Sequence, residues 1–185
     1  EREELAQRQA QKRATTRTAA WITAAVLAFC LLFSVISYNG LNSHRLAAAE
    51  ARANLQSTLQ RRSELIPRLR GWALEGTARG GQLPEQLARA QQDLASTDVN
   101  AQLRANEELN ALLPRVSGTQ AGSQLYSDLM AEDAGSANRI NVARQRYNRA
   151  VTQYNQSAQS FPNNLVRPFF GLPGELPPLE GASGG

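Results

Sequence analysis

Few residues in this chain are equipped for chemistry. His44 is its one histidine and Cys30 its one cysteine. A histidine-based metal site or acid–base pair has a single imidazole to draw on, and no disulfide framework is available. Cys30 sits inside an apolar run, where thiolate formation is disfavoured. Gly71, Gly76, Gly80 and Gly81 match neither a phosphate-cradling loop nor a dinucleotide fingerprint. The serines have no histidine base to activate them beyond His44. The residues predict no catalytic, cofactor or metal site, and so a protein that is not an enzyme.

The charged groups are more informative. Arg45, Arg52 and Arg62 fall on the apolar seam of a long helix, where unpaired charge is expensive. Three arrangements are open to them. Their heads can snorkel to the edge, acids such as Asp133 and Glu107 can pair with them, or the face can meet another protomer. Tyr147 and Tyr154 lie on a second long helix, each followed by an asparagine, with an Asn-Arg pair at 138–139 before them. Those polar groups are expected to hydrogen-bond across helices and fix the register, or else to form a strip for a partner helix.

The elements that position these residues start from residues 19–36, AAWITAAVLAFCLLFSVI, a run without a charge. Its length approaches the ~20 residues a helix needs to cross ~30 Å of hydrocarbon. A buried core helix would need a larger domain around it. A cleaved signal peptide would need a small-x-small site, which residues 37–40 do not supply. The run is therefore read as a membrane span over 19–37, after a basic tail over 1–18. Arg8, Lys12, Arg13 and Arg17 precede it, against only Arg45 and Arg52 just beyond. That asymmetry predicts a cytoplasmic N-terminus and an extracytoplasmic helical domain. Trp21 and Tyr38 bracket the run as interfacial aromatics. Ala20, Ala24, Ala25 and Ala28 give it a face of small residues.

Past the run, Leu41, Ala48, Leu55, Arg62 and Leu69 recur every seven residues. Arg45, Arg52, Leu59, Ile66 and Ala73 form a companion row. One helix is expected to about residue 73, kinked at Pro67. A second starts near Pro84 and a third covers 101–116, with Thr97 or Asp98 as its N-cap. A fourth runs from Tyr126 to Phe161 on a three-or-four spacing. The predicted fold is all-α: a transmembrane helix continuing into a long antiparallel four-helix bundle over 38–160. Pairing of the long helices is expected to set Tyr147 near Leu55, and Tyr154 against Ala47, Ala48 and Ala49. Helix is expected to stop after Phe161, leaving 161–185 as a membrane-proximal segment and flexible tail. There Phe169 and Phe170 either touch lipid or cap the bundle.

The formal net charge is +4 and the pI about 9.8. The arginines are dispersed among acids and amides without interleaved aromatics, which points away from nucleic acid.

Several stretches together resemble the LemA family of bacterial membrane proteins. They are YNGL at 38–41, RRSELIPRL at 61–69 with GWA after it, ANEEL at 105–109, NRINVARQRYN at 138–148, YNQ at 154–156 and FPNNLVRPFFGL at 161–172. Two features depart from the family pattern. The acidic run before Asn138 is replaced by MAEDAGSA at 130–137, and the His-Glu after Gly-Tyr-Ala is reduced to Glu75. The resemblance implies a helical bundle on one N-terminal membrane helix, without an established reaction. It also implies membrane proteases or TPM-domain proteins as neighbours.

Together these readings predict a non-enzymatic scaffold of the bacterial inner membrane. Its partners would be the lipid bilayer and further copies of itself, with Arg45, Arg52, Arg62, Tyr147 and Tyr154 as seam or assembly residues. The alternative is an accessory or regulatory subunit of a membrane protease or transporter complex.

Overall fold

The computed structural model describes residues 2–76, 81–116 and 124–179, and among them every regular element is helical. Helix α1, Arg2–Ser63, contains no proline and only one glycine, so nothing in it removes a backbone donor. It passes through Gly40 unbroken. A Cβ placed there would meet no atom within 4 Å, so this glycine serves no close approach.

The expected kink is a full break. After Ser63 the backbone tightens, with Leu65 N–H donating to Arg62 O at 3.1 Å and Arg68 N–H to Leu65 O at 3.2 Å. Helix α2, Ile66–Gly76, then begins with Pro67 in its first turn, where a missing N–H leaves no bond unmade. Helix α3, Leu83–Leu94, uses Pro84 in the same way and buries Leu83, Leu87, Ala90 and Leu94. Helix α4, Val99–Val116, starts two residues earlier than expected. Asp98 is its cap: Oδ1 accepts from Asn100 N–H at 3.0 Å, and its carbonyl accepts from Gln102 N–H at 3.0 Å. The stretch 117–123, expected to be a loop, lies outside the described residues.

Helix α5, Gln124–Gln159, carries the clearest periodicity. Leu129, Asp133, Ser136, Ile140, Ala143, Tyr147, Val151, Tyr154 and Ala158 are all buried. Helical structure also continues further than expected. Helix α6, Asn163–Val166, follows Pro162, and a 3₁₀ turn over Arg167–Phe170 ends on Gly171 in the left-handed conformation, φ 64°. Proline at the entrance and glycine at the exit let one short turn form between them.

The chain divides into two compact units that do not follow chain order. The first takes the chain up to Ser43 together with Gln156–Gly174. The second takes His44–Asn155 together with residues from Glu175 onward. The apolar core lies in the second. There Leu55, Leu59, Ile66, Leu69, Leu87, Leu94, Leu109 and Ile140 are each no more than 1 % exposed.

Candidate functional site

In the first unit, α1 carries an apolar stretch that no described residue covers. An 18-residue window has mean hydropathy 2.4 and none of it is buried. Trp21 is exposed, as are Ile22, Leu27, Phe29, Leu31 and Ile36. At the C-terminal end of this stretch the chain folds back on itself. The Tyr38 ring lies 4.8 Å from the Phe170 ring, tilted by 41°. Ser37 Oγ donates to Asn163 Oδ1, whose Nδ2 in turn donates to Ser157 O at 3.0 Å. Leu172 is buried and Phe170 stacks on Tyr38, whereas Phe169 is 89 % exposed and Phe161 and Leu165 also face outward.

In the second unit, the seam row delivers Arg62 into the core, where it is fully buried. Asp133 of α5 takes it bidentately: Nε donates to Oδ1 at 3.0 Å and Nη2 to Oδ2 at 2.8 Å. From α4, Asn110 Oδ1 accepts from Nη2 at 2.7 Å and Asn106 Oδ1 accepts from Nη1. A guanidinium presents five donors in a fixed planar fork, which suits it to bind three helices at once. The pair is buried and four of the five guanidinium protons are engaged, two of them by the asparagines, which is how a buried ion pair is tolerated.

Glu107 does not join this node. It faces Arg144 at 3.8 Å, both partly exposed. Arg45 and Arg52, though in the companion row, are exposed and flank a shallow groove with Ala48, Ala49, Tyr147 and Leu176. Numbers therefore rise along this part of α1 as they fall along α5. The register differs by one heptad from the expected pairing, because Tyr147 faces Ala48 and Ala49 rather than Leu55. The Arg62–Asp133 pair accounts for that setting: a slip of seven residues would leave a buried charge unpaired.

The residues after Tyr147 and Tyr154 behave differently from expectation. Asn148 and Asn155 do not bond across helices but hold the backbone of residues 175–179. Asn155 Nδ2 donates to Leu176 O at 2.9 Å, and its Oδ1 accepts from Leu176 N–H at 2.8 Å. Asn148 repeats this on Leu179, at 2.9 Å in both directions. Tyr147 OH donates to Pro177 O at 3.0 Å. Leu179 is buried in the core and Leu176 packs against it. Residues 175–179, where the sequence reading placed no element, are fastened here. The terminal GASGG stretch, expected to be the flexible tail, lies outside the described residues.

The sequence reading missed Asn106, Asn110 and Gln102. Gln102 Nε2 donates to Leu94 O at 2.9 Å and Ser96 O at 2.8 Å, closing the end of α3. Their signal was an amide every four residues along α4, in positions where amides weaken a helix unless the side chain is otherwise engaged.

These features define a class: an all-α protein with one helix long and apolar enough to cross a membrane, and a helical domain closed around a buried arginine. The model of the LemA family matches residues 51–175, more than half of the chain. The chain belongs to the LemA family. The YNGL stretch at 38–41 falls before the matched residues, whereas Arg62, Asn106, Asp133 and the 138–148 and 161–172 stretches fall within them. A search of curated proteins returns no match.

Proposed function

We propose that this chain is a membrane-anchored, non-enzymatic scaffold of the bacterial inner membrane that associates with copies of itself. The observation that carries this reading is the uncovered apolar stretch of α1. Apolar surface in water costs roughly 25 cal/mol per Å², and a buried core helix would have been covered by its own domain. Lipid is the solvent that removes this cost. The basic residues before the stretch favour a cytoplasmic N-terminus and a periplasmic helical domain. Phe161, Leu165 and Phe169 in the same unit would then meet the headgroup region beside Tyr38. The alanine face of the span and the exposed Arg45 and Arg52 are the surfaces offered for association.

Membrane fractionation tests the anchor. The chain is expected to sediment with membranes, resist high salt and leave them only in detergent. Leu27→Arg, at the middle of the stretch, is expected to cost about 2.5–3.5 kcal/mol of insertion and shift protein to the soluble fraction. Imaging of the detergent-solubilised particle tests association. Monomers alone would refute it. A fixed complex with another protein would replace it by the reading as an accessory subunit of a membrane protease or transporter.

A further inference from the structure

The fastening of residues 175–179 has the properties of a peptide-reading site. Leu176, Pro177, Pro178 and Leu179 contain only two backbone N–H groups, because proline has none. Both are taken, one by Asn155 Oδ1 and one by Asn148 Oδ1, and each asparagine returns a bond to the carbonyl of the same residue. Paired amide-to-backbone contacts of this kind read an extended main chain and are indifferent to its side chains. Tyr147 adds a further main-chain contact at the Pro177 carbonyl, and selectivity comes from the seats of the two leucines.

The spacing explains why the fit works. Asn148 and Asn155 are seven residues apart on one helix, or ~10.5 Å at ~1.5 Å per residue. Leu176 and Leu179 are three residues apart, ~9–10 Å in an extended or polyproline conformation at ~3.1–3.3 Å per residue. A helix heptad and a three-residue extended step have nearly the same length. Asn141 stands one heptad before Asn148 on α5 and is exposed. Prolines between the leucines hold the segment extended before it binds, which lowers the ordering cost. Arg45 and Arg52 border the groove that Leu176 enters, and the segment opens on Glu175.

We propose that this strip of α5, with the groove beside it, is a binding site for extended Leu-Pro-Pro-Leu peptides. Within one chain it is filled by residues 175–179, and in an assembly by the same segment of a second copy. The second copy is the committed occupant because its segment carries every group that the site is seen to hold. A tethered segment competes at an effective concentration on the order of mM, so exchange is favoured only where copies are crowded, as on a membrane. The exchange between copies rests on the self-associating reading above. The site itself does not.

The test uses two full-length variants in detergent. In one, Leu176→Ala with Leu179→Ala leaves the site intact and its own segment weakened. In the other, Asn148→Ala with Asn155→Ala leaves the segment intact and the site disabled. A labelled peptide of residues 174–180, GELPPLE, is expected to bind the first variant saturably. It should bind the second at least tenfold more weakly, and a peptide with both leucines replaced by alanine should bind neither. Mixed together, the two variants are expected to form a hetero-complex through the one functional pairing of site and segment. Absence of saturable peptide binding to the first variant, or equal binding of the alanine peptide, overturns the site. If the peptide binds but the variants do not combine, exchange between copies is overturned. An unaltered chain that nevertheless self-associates would then leave the scaffold reading standing on another surface. Should either variant fail to fold, hydrogen exchange on the unaltered chain replaces it. Excess peptide is expected to accelerate exchange at the Leu176 and Leu179 amides, and unchanged rates overturn the proposal.

Discussion

Helix α1 contains two stretches that invert the usual relation between hydrophobicity and burial. Its more apolar part, around Leu27 and Phe29, is exposed, while its polar part places Ala48, Leu55, Leu59 and Arg62 out of water. The backbone is helical in both. What differs is the neighbourhood: the polar part shares a core with α2 to α5, whereas no described residue covers the apolar part. Burial is thus a property of the partner surface and not of the segment's own hydrophobicity.

The contrast can be broken most severely at Asp133. Asp133→Ala would leave Arg62 charged and buried, and is expected to lower stability by about 3–5 kcal/mol in urea unfolding of the detergent-solubilised protein. Replacing both partners, Arg62→Met with Asp133→Leu, should cost much less, since no unpaired charge remains. A loss from the double change as large as from Asp133→Ala would show that the pair is not what holds α1, α4 and α5.

One truncation made in both stretches sharpens the comparison. Leu55→Ala removes a fully buried side chain and is expected to cost about 2–5 kcal/mol. Leu27→Ala removes an exposed one and should leave the urea midpoint within the change of ~0.5 kcal/mol typical of surface sites. Equal effects would mean that Leu27 has a partner within the fold. Smaller still is the cap of α4: Asp98→Ala should cost ~1 kcal/mol, and Asp98→Asn a fraction of that. The least effect is expected at Arg68. Its contact with Glu132 spans 3.8 Å between two exposed side chains, and Arg68→Ala should change stability by less than ~0.5 kcal/mol.

Much of the fold was legible because periodicity reports burial directly. Leu41, Ala48, Leu55, Arg62 and Leu69 were read as one seam, and all five are buried. The row on α5, read from Tyr126 to Phe161, is buried from Leu129 to Ala158 and fails at its ends, where Tyr126 is half-buried and Phe161 exposed. Pro67 and Asp98 were readable because their effects are local, a missing donor and a capping carboxylate. The companion row failed at Arg45 and Arg52, where periodicity continues but the long side chains reach solvent. Register failed for a different reason. A heptad pattern matches itself after a slip of seven residues, and the Arg62–Asp133 pair, which does distinguish the two settings, is not a periodic feature. The fastening of residues 175–179 was illegible because Leu-Pro-Pro-Leu has no period of its own. Its order is imposed by Asn148 and Asn155, more than twenty positions away.

The Arg62 node also bears on how the domain is assembled. Its partners lie 44, 48 and 71 positions along the chain, so no local stretch of sequence can satisfy it. Until both α4 and α5 arrive, the guanidinium keeps its hydration, and any docking that traps it early is penalised by desolvation. One cation is thereby expected to disfavour wrong helix pairings. Refolding of the Arg62→Met, Asp133→Leu chain should consequently admit misaligned species that the natural sequence rejects, visible as extra kinetic phases absent from the unaltered protein.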